Sequence, residues 1–122
     1  YRDHAEAALV AQAEAAVESW SALTDTLIAR GQDDANVPMS AAFEYMELAG
    51  YTCLAWCWAR MAVVAADGLA AADSDVTFLN AKRETARFYM QRVLPRVEGL
   101  KTSMLADTAS LMALDEEQFF LP

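Results

Sequence analysis

Residues 50–62 read GYTCLAWCWARMA, with two tryptophans, two cysteines and one arginine in an otherwise apolar stretch. They lie within a longer run, 39–66, that is apolar on nearly all sides. A helix of this kind is typical of the centre of a bundle. We therefore predict a buried central helix over 39–66. The residues expected to fill its seam with the flanking helices are Trp56, Cys57 and Met61, continued by Cys53 and Leu54.

A first helix is predicted over residues 3–30, because apolar or small side chains recur at alternating steps of four and three. These positions are Leu9, Ala13, Ala16, Trp20, Leu23 and Leu27. Gly31 is expected to end this helix as a C′ residue, and Pro38 suits the first turn of the next one. Asp67 and Gly68 mark the expected end of the central helix, and 69–75 the connection.

A third helix should follow, with Ser74 as its N-cap and Asp75 just inside it. Its apolar face consists of Leu79, Ala86, Met90, Val93, Val97, Leu100 and Met104. Pro95 interrupts this face, and an interior proline removes a backbone hydrogen bond, so we expect a kink over 91–95. The last residues, DEEQFFLP, read as a short acidic and aromatic tail.

The pattern as a whole predicts an all-α fold, an up-down antiparallel bundle of three long helices with the third kinked at Pro95. No alternating run is long enough for a strand, and no repeat occurs at solenoid spacing. A chain of 122 residues is near the commonest domain size. We therefore expect one helical domain over 1–122. Because the chain starts at Tyr1 without methionine, we interpret it as a piece of something longer.

Charge is unevenly distributed along the chain. The 18 acidic residues outnumber the 9 basic ones, giving a net charge of −9, which disfavours nucleic acid and anionic membranes as partners. Most basic residues nevertheless fall within 82–101. Two i,i+4 pairs in that window form a candidate contact surface: Arg83 with Arg87, and Arg92 with Arg96. Such pairs would either grip an anion or complement acidic helices of the domain or of a neighbour.

Residues 50–62 admit three functional interpretations besides core packing: a metal site, an anion contact and a membrane-spanning segment. Cys53 and Cys57 would need two further ligands to hold a metal, and we expect them to be core thiols instead. Arg60 would form either a salt bridge to a flanking helix or an anion contact, and the salt bridge is favoured. The run is long enough to span a bilayer, but Arg60 within it and acidic ends at Glu47 and Asp67 argue against insertion.

No arrangement of residues indicates catalysis by this chain alone. His4 is the single histidine and has no neighbouring nucleophile, and no Gly-rich phosphate loop or nucleophile-elbow motif occurs. We predict no catalytic, cofactor-binding or metal-binding residue. A haem bundle is the weakest alternative, because it lacks an axial histidine and would depend on Met46, Met61 or Met90.

Three stretches resemble a known family: GYTCLAWCWARMA at 50–62, FYMQRVLPRVEGL at 88–100 and MALDEEQFFL at 112–121. They are similar to the extra C-terminal helical domain of long acyl-CoA dehydrogenases, in the subgroup that includes methylmercaptopropionyl-CoA dehydrogenases. The likeness covers most of the chain. Its most specific parts are Arg60 to Ala62, Phe88 to Arg96, and Gln118 with Phe119.

The resemblance implies a parent enzyme that uses FAD to remove hydrogen from the α and β carbons of an acyl-CoA. The catalytic glutamate and flavin site of such enzymes belong to the preceding core, so neither Glu44 nor Glu47 takes that role. The domain would then act in packing, homo-oligomer assembly or shaping of the substrate entrance. The implied partners are the core of the same chain and, through it, the acyl-CoA.

A competing interpretation is a stand-alone helical interaction or dimerisation module without enzymatic activity. An upstream dehydrogenase reading frame would distinguish the two. For either protein we expect a cytoplasmic location, because two cysteines at i,i+4 are poorly placed for a mutual disulfide and unpaired thiols are typical of a reducing compartment.

Overall fold

The computed structural model describes residues 3–71 and 75–120, and within these ranges the chain is helical with no strand. The α-helices are α1 (Ala7–Asp33), α2 (Asn36–Ala70), α3 (Val76–Phe88) and α4 (Val97–Met104). Between α3 and α4 lie a π-helical turn, Tyr89–Val93, and a 3-10 turn, Leu94–Arg96. Two further 3-10 turns, Ala109–Leu111 and Glu116–Phe119, follow α4. The all-α prediction is confirmed.

The predicted stop at Gly31 is wrong, because α1 continues to Asp33. Gly31 instead allows a close approach between α1 and the start of α2. A Cβ atom on Gly31 would lie 3.2 Å from Cδ of Pro38, which is tighter than ordinary packing. The turn after α1 is held by Asp34, whose carboxylate accepts hydrogen bonds from the Thr108 hydroxyl and the Asn36 N–H. These bonds lower the pKa of Asp34.

α2 is longer at both ends than the sequence pattern predicts. It begins at Asn36, with Pro38 in its first turn as expected, and passes through Asp67 and Gly68 to end at Ala70. The predicted end at Asp67 and Gly68 is therefore wrong, since good helix formers after the glycine carry the helix on. The predicted cap Ser74 lies outside the described residues. Asp75 is the N-cap of α3 instead, and its carboxylate accepts the Phe78 N–H.

The third predicted helix changes its type of winding before Pro95. In the π-helical turn the Leu94 N–H bonds to the Tyr89 carbonyl, five residues back. Pro95 has no N–H to donate, so the regular i→i−4 pattern cannot pass through it. The structure thus has a π-helical turn and a 3-10 turn where the sequence predicts a kink, and the kink itself stays a prediction.

Two clusters of buried side chains form the core. The first contains Leu9, Ala13, Ala55, Ala59, Ala62, Ala86, Tyr89, Met90 and Leu94. The second contains Leu23, Leu27, Val37, Ala41, Leu48 and Met104. Both clusters take residues from α1 and α2, and α2 packs against each of the other three α-helices, so it is the central helix. The buried faces predicted for the first and third helices are largely confirmed, although Ala16, Trp20, Leu79, Val93, Val97 and Leu100 are only half-buried.

The residues predicted to fill the seam of α2 are wrong. Trp56 is 50% exposed, Leu54 and Cys53 are exposed, and Cys57 and Met61 are only half-buried. Alanines occupy the contact positions instead, because closely packed helices leave little space between their axes. The larger side chains of residues 50–62 lie at the sides of α2, away from these contacts.

Candidate functional site

The uncovered side of α2 is its most unusual surface. We call it the outer seam: Met39, Phe43, Met46, Gly50, Cys53, Cys57, Arg60 and Val64, which recur at alternating steps of four and three. Its four large apolar side chains are 64–77% exposed. The opposite side of α2 carries Ala41, Leu48, Thr52, Ala55, Ala59 and Ala62, all buried. α2 thus has two apolar sides, and the domain covers one of them.

Arg60 lies at the surface between two grooves. The groove between α1 and α2 has a volume of about 820 Å³ and the groove between α2 and α3 about 680 Å³, and Trp56 and Arg60 line both. The guanidinium carbon of Arg60 is 4.8 Å from the centre of the Trp56 ring, within cation–π range. The predicted salt bridge of Arg60 is wrong, because no ion pair involves it in the described ranges.

A second cation lies beside the groove between α2 and α3. Lys82 Nζ is 5.2 Å from the centre of the Phe78 ring and 5.7 Å from that of Trp58. Lys82 and Phe78 also line this groove, so cations and aromatic rings alternate along its edges. These cation–π contacts leave the positive charges near water, where each is worth about 0.5–1 kcal/mol.

The predicted basic surface divides into two halves. Arg83 donates from Nε to Glu6 Oε1 at 2.5 Å, and Arg87 lies 3.5 Å from the same oxygen and also pairs with Glu84. Glu6 is only 2% exposed, so these two arginines neutralise a buried carboxylate at the start of α1. Arg83 and Arg87 therefore serve packing within the domain.

The other half of the basic surface is free to contact something else. Arg92 and Arg96 are exposed, and among the described residues neither has a hydrogen bond or ion pair. They lie on either side of Pro95, in the π-helical and 3-10 turns. Of the four residues predicted as a contact surface, these two are available at the surface.

His4 connects the segment before α1 to α2. Its Nδ1 accepts the Glu6 N–H at 3.0 Å, so Nε2 carries the proton and donates to Asp67 at 3.1 Å. This bond ties the segment to the last turn of α2. Within residues 3–71 and 75–120, no three His, Cys, Asp or Glu side chains meet as a metal-binding group.

The other sequence-predicted candidates are not brought together. Cys53 is an exposed free thiol, so its prediction as a core residue is wrong, and Cys57 is half-buried. Met90 is buried in the first core cluster, whereas Met46 is exposed on the outer seam. The structure thus places the methionines proposed for a haem bundle in different environments.

Tyr89 is the group whose ionisation the fold changes most clearly. Its hydroxyl donates to the Tyr51 carbonyl at 2.8 Å, and burial raises its pKa to about 12. The neutral phenol is thus favoured in the folded state. Its contribution to stability is present below about pH 10, the ordinary tyrosine pKa, and is lost as the pH rises through 12.

α2 is also the one helix in the described part of the chain that is long and apolar enough to cross a membrane. This criterion considers length and composition alone, and core helices of soluble proteins meet it too. In this structure α1, α3 and α4 pack against α2.

Two features escaped the sequence interpretation, one of them buried and one at the surface. Glu6 is a carboxylate near the chain start, and no local signal marks it as buried. The outer seam had a detectable signal, since its four-three spacing is visible in the sequence. The apolar character of the whole run hid it, because two apolar sides together resemble a fully buried helix.

Comparison with known proteins identifies one family. The family model described as acetyl-CoA dehydrogenase C-terminal like matches residues 2–115. Neither the comparison with curated proteins nor that with solved structures finds a match.

Proposed function

The chain belongs to the acetyl-CoA dehydrogenase C-terminal like family, and from this membership we propose that it is the C-terminal accessory domain of an FAD-dependent acyl-CoA dehydrogenase. The family match over 2–115 carries the proposal, since it spans nearly all of the 122 residues. The reaction of the parent would be α,β-dehydrogenation of an acyl-CoA thioester. We further propose the methylmercaptopropionyl-CoA dehydrogenase-like subgroup, on the three resembling stretches alone.

The flavin belongs, in this proposal, to the preceding dehydrogenase core. The pyrophosphate group of a dinucleotide such as FAD commonly binds at a glycine-rich turn before a helix N-terminus. All four glycines of this chain, Gly31, Gly50, Gly68 and Gly99, lie within helices. The chain thus has no glycine-rich turn of this kind, and we assign it no flavin-binding residue and no step of the reaction.

In this proposal the domain acts in packing and assembly, and it also shapes the entrance for the substrate. The uncovered outer seam supports this role, because a large exposed apolar surface marks an interaction site. We infer that the helices run in up-down order within a single domain. The first core cluster joins the first half of α1 to the second half of α2, and the second cluster joins their other halves, so the two helices are antiparallel. A cytoplasmic homo-oligomer is part of the same proposal.

The parent enzyme is tested by the intact mass and visible absorbance spectrum of the natural gene product. We expect a chain several times longer than 122 residues that carries the absorption bands of a bound flavin. A colourless product of about this length would contradict the proposal. It would leave the stand-alone helical dimerisation module, which the outer seam also supports.

Arg92 and Arg96 form, in our proposal, the basic surface that contacts the core of the same chain. Charge reversal at both, Arg92→Glu with Arg96→Glu, is expected to weaken domain–core assembly or raise KM for acyl-CoA by roughly two- to tenfold, as for partly exposed charge pairs. Arg87 is a poorer choice for reversal, because it would also expose Glu6 to a like charge.

The matched control for this double variant is Asp25→Lys, which reverses an exposed charge on α1. Sedimentation velocity of the natural gene product measures domain–core assembly, because an undocked domain makes the protein less compact. Steady-state kinetics measures KM for acyl-CoA. Unchanged assembly and unchanged KM in the double variant would refute the basic contact surface while leaving the family assignment in place.

A further inference from the structure

We propose that the outer seam of α2 pairs antiparallel with the outer seam of a second copy of this chain. The proposal deepens the assembly role proposed above and rests on it. The partner that covers the seam is a second copy of this chain, which contacts it through the same eight positions of α2. No residue of the dehydrogenase core is required for the contact.

The spacing of the seam supports helix–helix pairing. Positions at alternating steps of four and three keep one side of a helix facing a partner, and 3–4 heptads are typical of a coiled coil. The outer seam runs from Met39 to Val64, nearly four heptads. At 1.5 Å per residue it is about 38 Å long. An exposed surface of this length suits another helix better than a small ligand.

The charge on the seam selects the antiparallel direction. Arg60 is its single charged residue. Parallel pairing would place two Arg60 guanidinium groups side by side in the contact, and like charges there are destabilising. Antiparallel pairing separates them, and in one register Arg60 lies opposite Phe43 of the second copy. A cation over an aromatic ring is favourable, as the existing Arg60–Trp56 contact illustrates.

The same register also matches the sizes of the side chains. Met39 lies opposite Val64 of the second copy, Met46 opposite Cys57, and Gly50 opposite Cys53. A Cβ on Gly50 would meet nothing within 4 Å, so the centre of the seam is open for a close approach. A shift by one heptad in one direction is worse because it places Phe43 opposite Asp67, and a shift in the other direction places Arg60 opposite Asn36 instead of an aromatic ring.

A second copy fits this surface better than a lipid bilayer does. Glu14 and Glu18 of α1 line the groove beside Trp56 and Arg60. A bilayer that covered the seam would also draw these carboxylates towards hydrocarbon, at high cost. A partner helix covers the seam and leaves them at its edge in water.

The test is cysteine cross-linking of the natural gene product with a short bismaleimide, followed by peptide mapping. In this register the two Cys53 residues are offset by three residues, about 4.5 Å along the axis, and the two Cys57 residues by eleven, about 16 Å. The reagent can also bridge Cys53 and Cys57 within one helix, so each thiol is tested alone. We expect a Cys53–Cys53 link between chains in Cys57→Ser, and at least tenfold less cross-linked dimer in Cys53→Ser.

A second pair of variants tests the seam itself. Met46→Lys places a charge in the contact and is expected to lower the yield of the Cys53 link at least tenfold. Ile28→Lys is the matched control, because Ile28 is 60% exposed but lies on α1, and its yield should equal that of the unaltered protein. Equal yields for the two variants would overturn the proposal.

The other outcomes are also decisive. Equally efficient links at Cys53 and Cys57 would indicate parallel pairing or the shifted register, and would overturn the proposed one. Absence of an interchain link, with Cys53 shielded from maleimide, would assign the seam to the core. Loss of the link with binding to phosphatidylcholine vesicles would assign it to a membrane. A flavin-containing product without the link would refute the pairing and leave the proposed function, whereas a colourless product with the link would do the reverse.

Discussion

Replacing Leu48 by alanine is expected to lower the free energy of unfolding by about 2–5 kcal/mol, the usual cost of truncating a fully buried leucine. Leu48 is 2% exposed and belongs to the second core cluster, so its removal leaves a cavity between α2 and its neighbours. Leu54 lies on the same helix and is 49% exposed. Leu54→Ala should therefore cost less than about 1 kcal/mol.

Urea unfolding of the two variants measures this difference directly, because residue type, helix and substitution are the same in both. The outer seam is partly exposed in the single chain, so the comparison requires protein concentrations at which the oligomeric state is unchanged. Equal losses for Leu48→Ala and Leu54→Ala would contradict the assignment of the buried and exposed sides of α2.

The second large effect is expected at the buried carboxylate of Glu6. Arg83→Met removes the guanidinium at 2.5 Å and leaves Glu6 with the more distant Arg87. An incompletely paired buried charge is costly, and we expect a loss of about 2–4 kcal/mol, less than for a fully buried pair because Arg83 is partly exposed. Arg92→Met, which removes an exposed arginine, should change stability by less than about 0.5 kcal/mol.

A double variant separates charge burial from simple loss of contact. Adding Glu6→Gln to Arg83→Met removes the buried charge and should restore part of the lost stability, since a neutral amide is less costly to bury. Thermal or urea unfolding of the single and double variants completes the cycle. Additive losses would show that the two residues do not interact, and would contradict the ion pair.

The helical class and much of the packing were predictable from the sequence because of periodicity. Leu9, Ala13, Leu23 and Leu27 recur at helical spacing on an otherwise polar helix, and all four are buried. In α2 the same reasoning fails, because apolar residues occur on every side. Periodicity then does not indicate which side is covered. We predicted large apolar residues such as Trp56 at the helix contacts, whereas alanines occupy them in the structure.

The predicted ends of α1 and α2 were also wrong, by a few residues each. A glycine such as Gly31 ends a helix only if the chain leaves the helical conformation there, and residue type alone does not decide this. Here α1 continues through Gly31, and Pro38 lies so close that a Cβ atom on Gly31 would be tightly packed. This close approach depends on the turn between α1 and α2, which a glycine in the sequence does not reveal.

The candidate surface was found in part. A cluster of basic residues is visible from composition alone, and it pointed to the region that includes Arg92 and Arg96. Its division into internal and external halves depends on Glu6, which is 77 residues away from Arg83 in the chain. Such a long-range ion pair leaves no pattern in a single sequence.

The two irregular turns before α4 depart from α-helical winding in opposite directions, although both are right-handed. A π-helical turn takes more residues per rotation than an α-helix and a 3-10 turn takes fewer. Over Tyr89–Val93 each residue rotates less about the helix axis than in an α-helix, and over Leu94–Arg96 each residue rotates more. The second turn thus partly corrects the rotation lost in the first. The buried stripe can therefore continue from Met90 to Met104 across a proline, and the chain passes an obstacle to regular winding without turning its apolar side towards water.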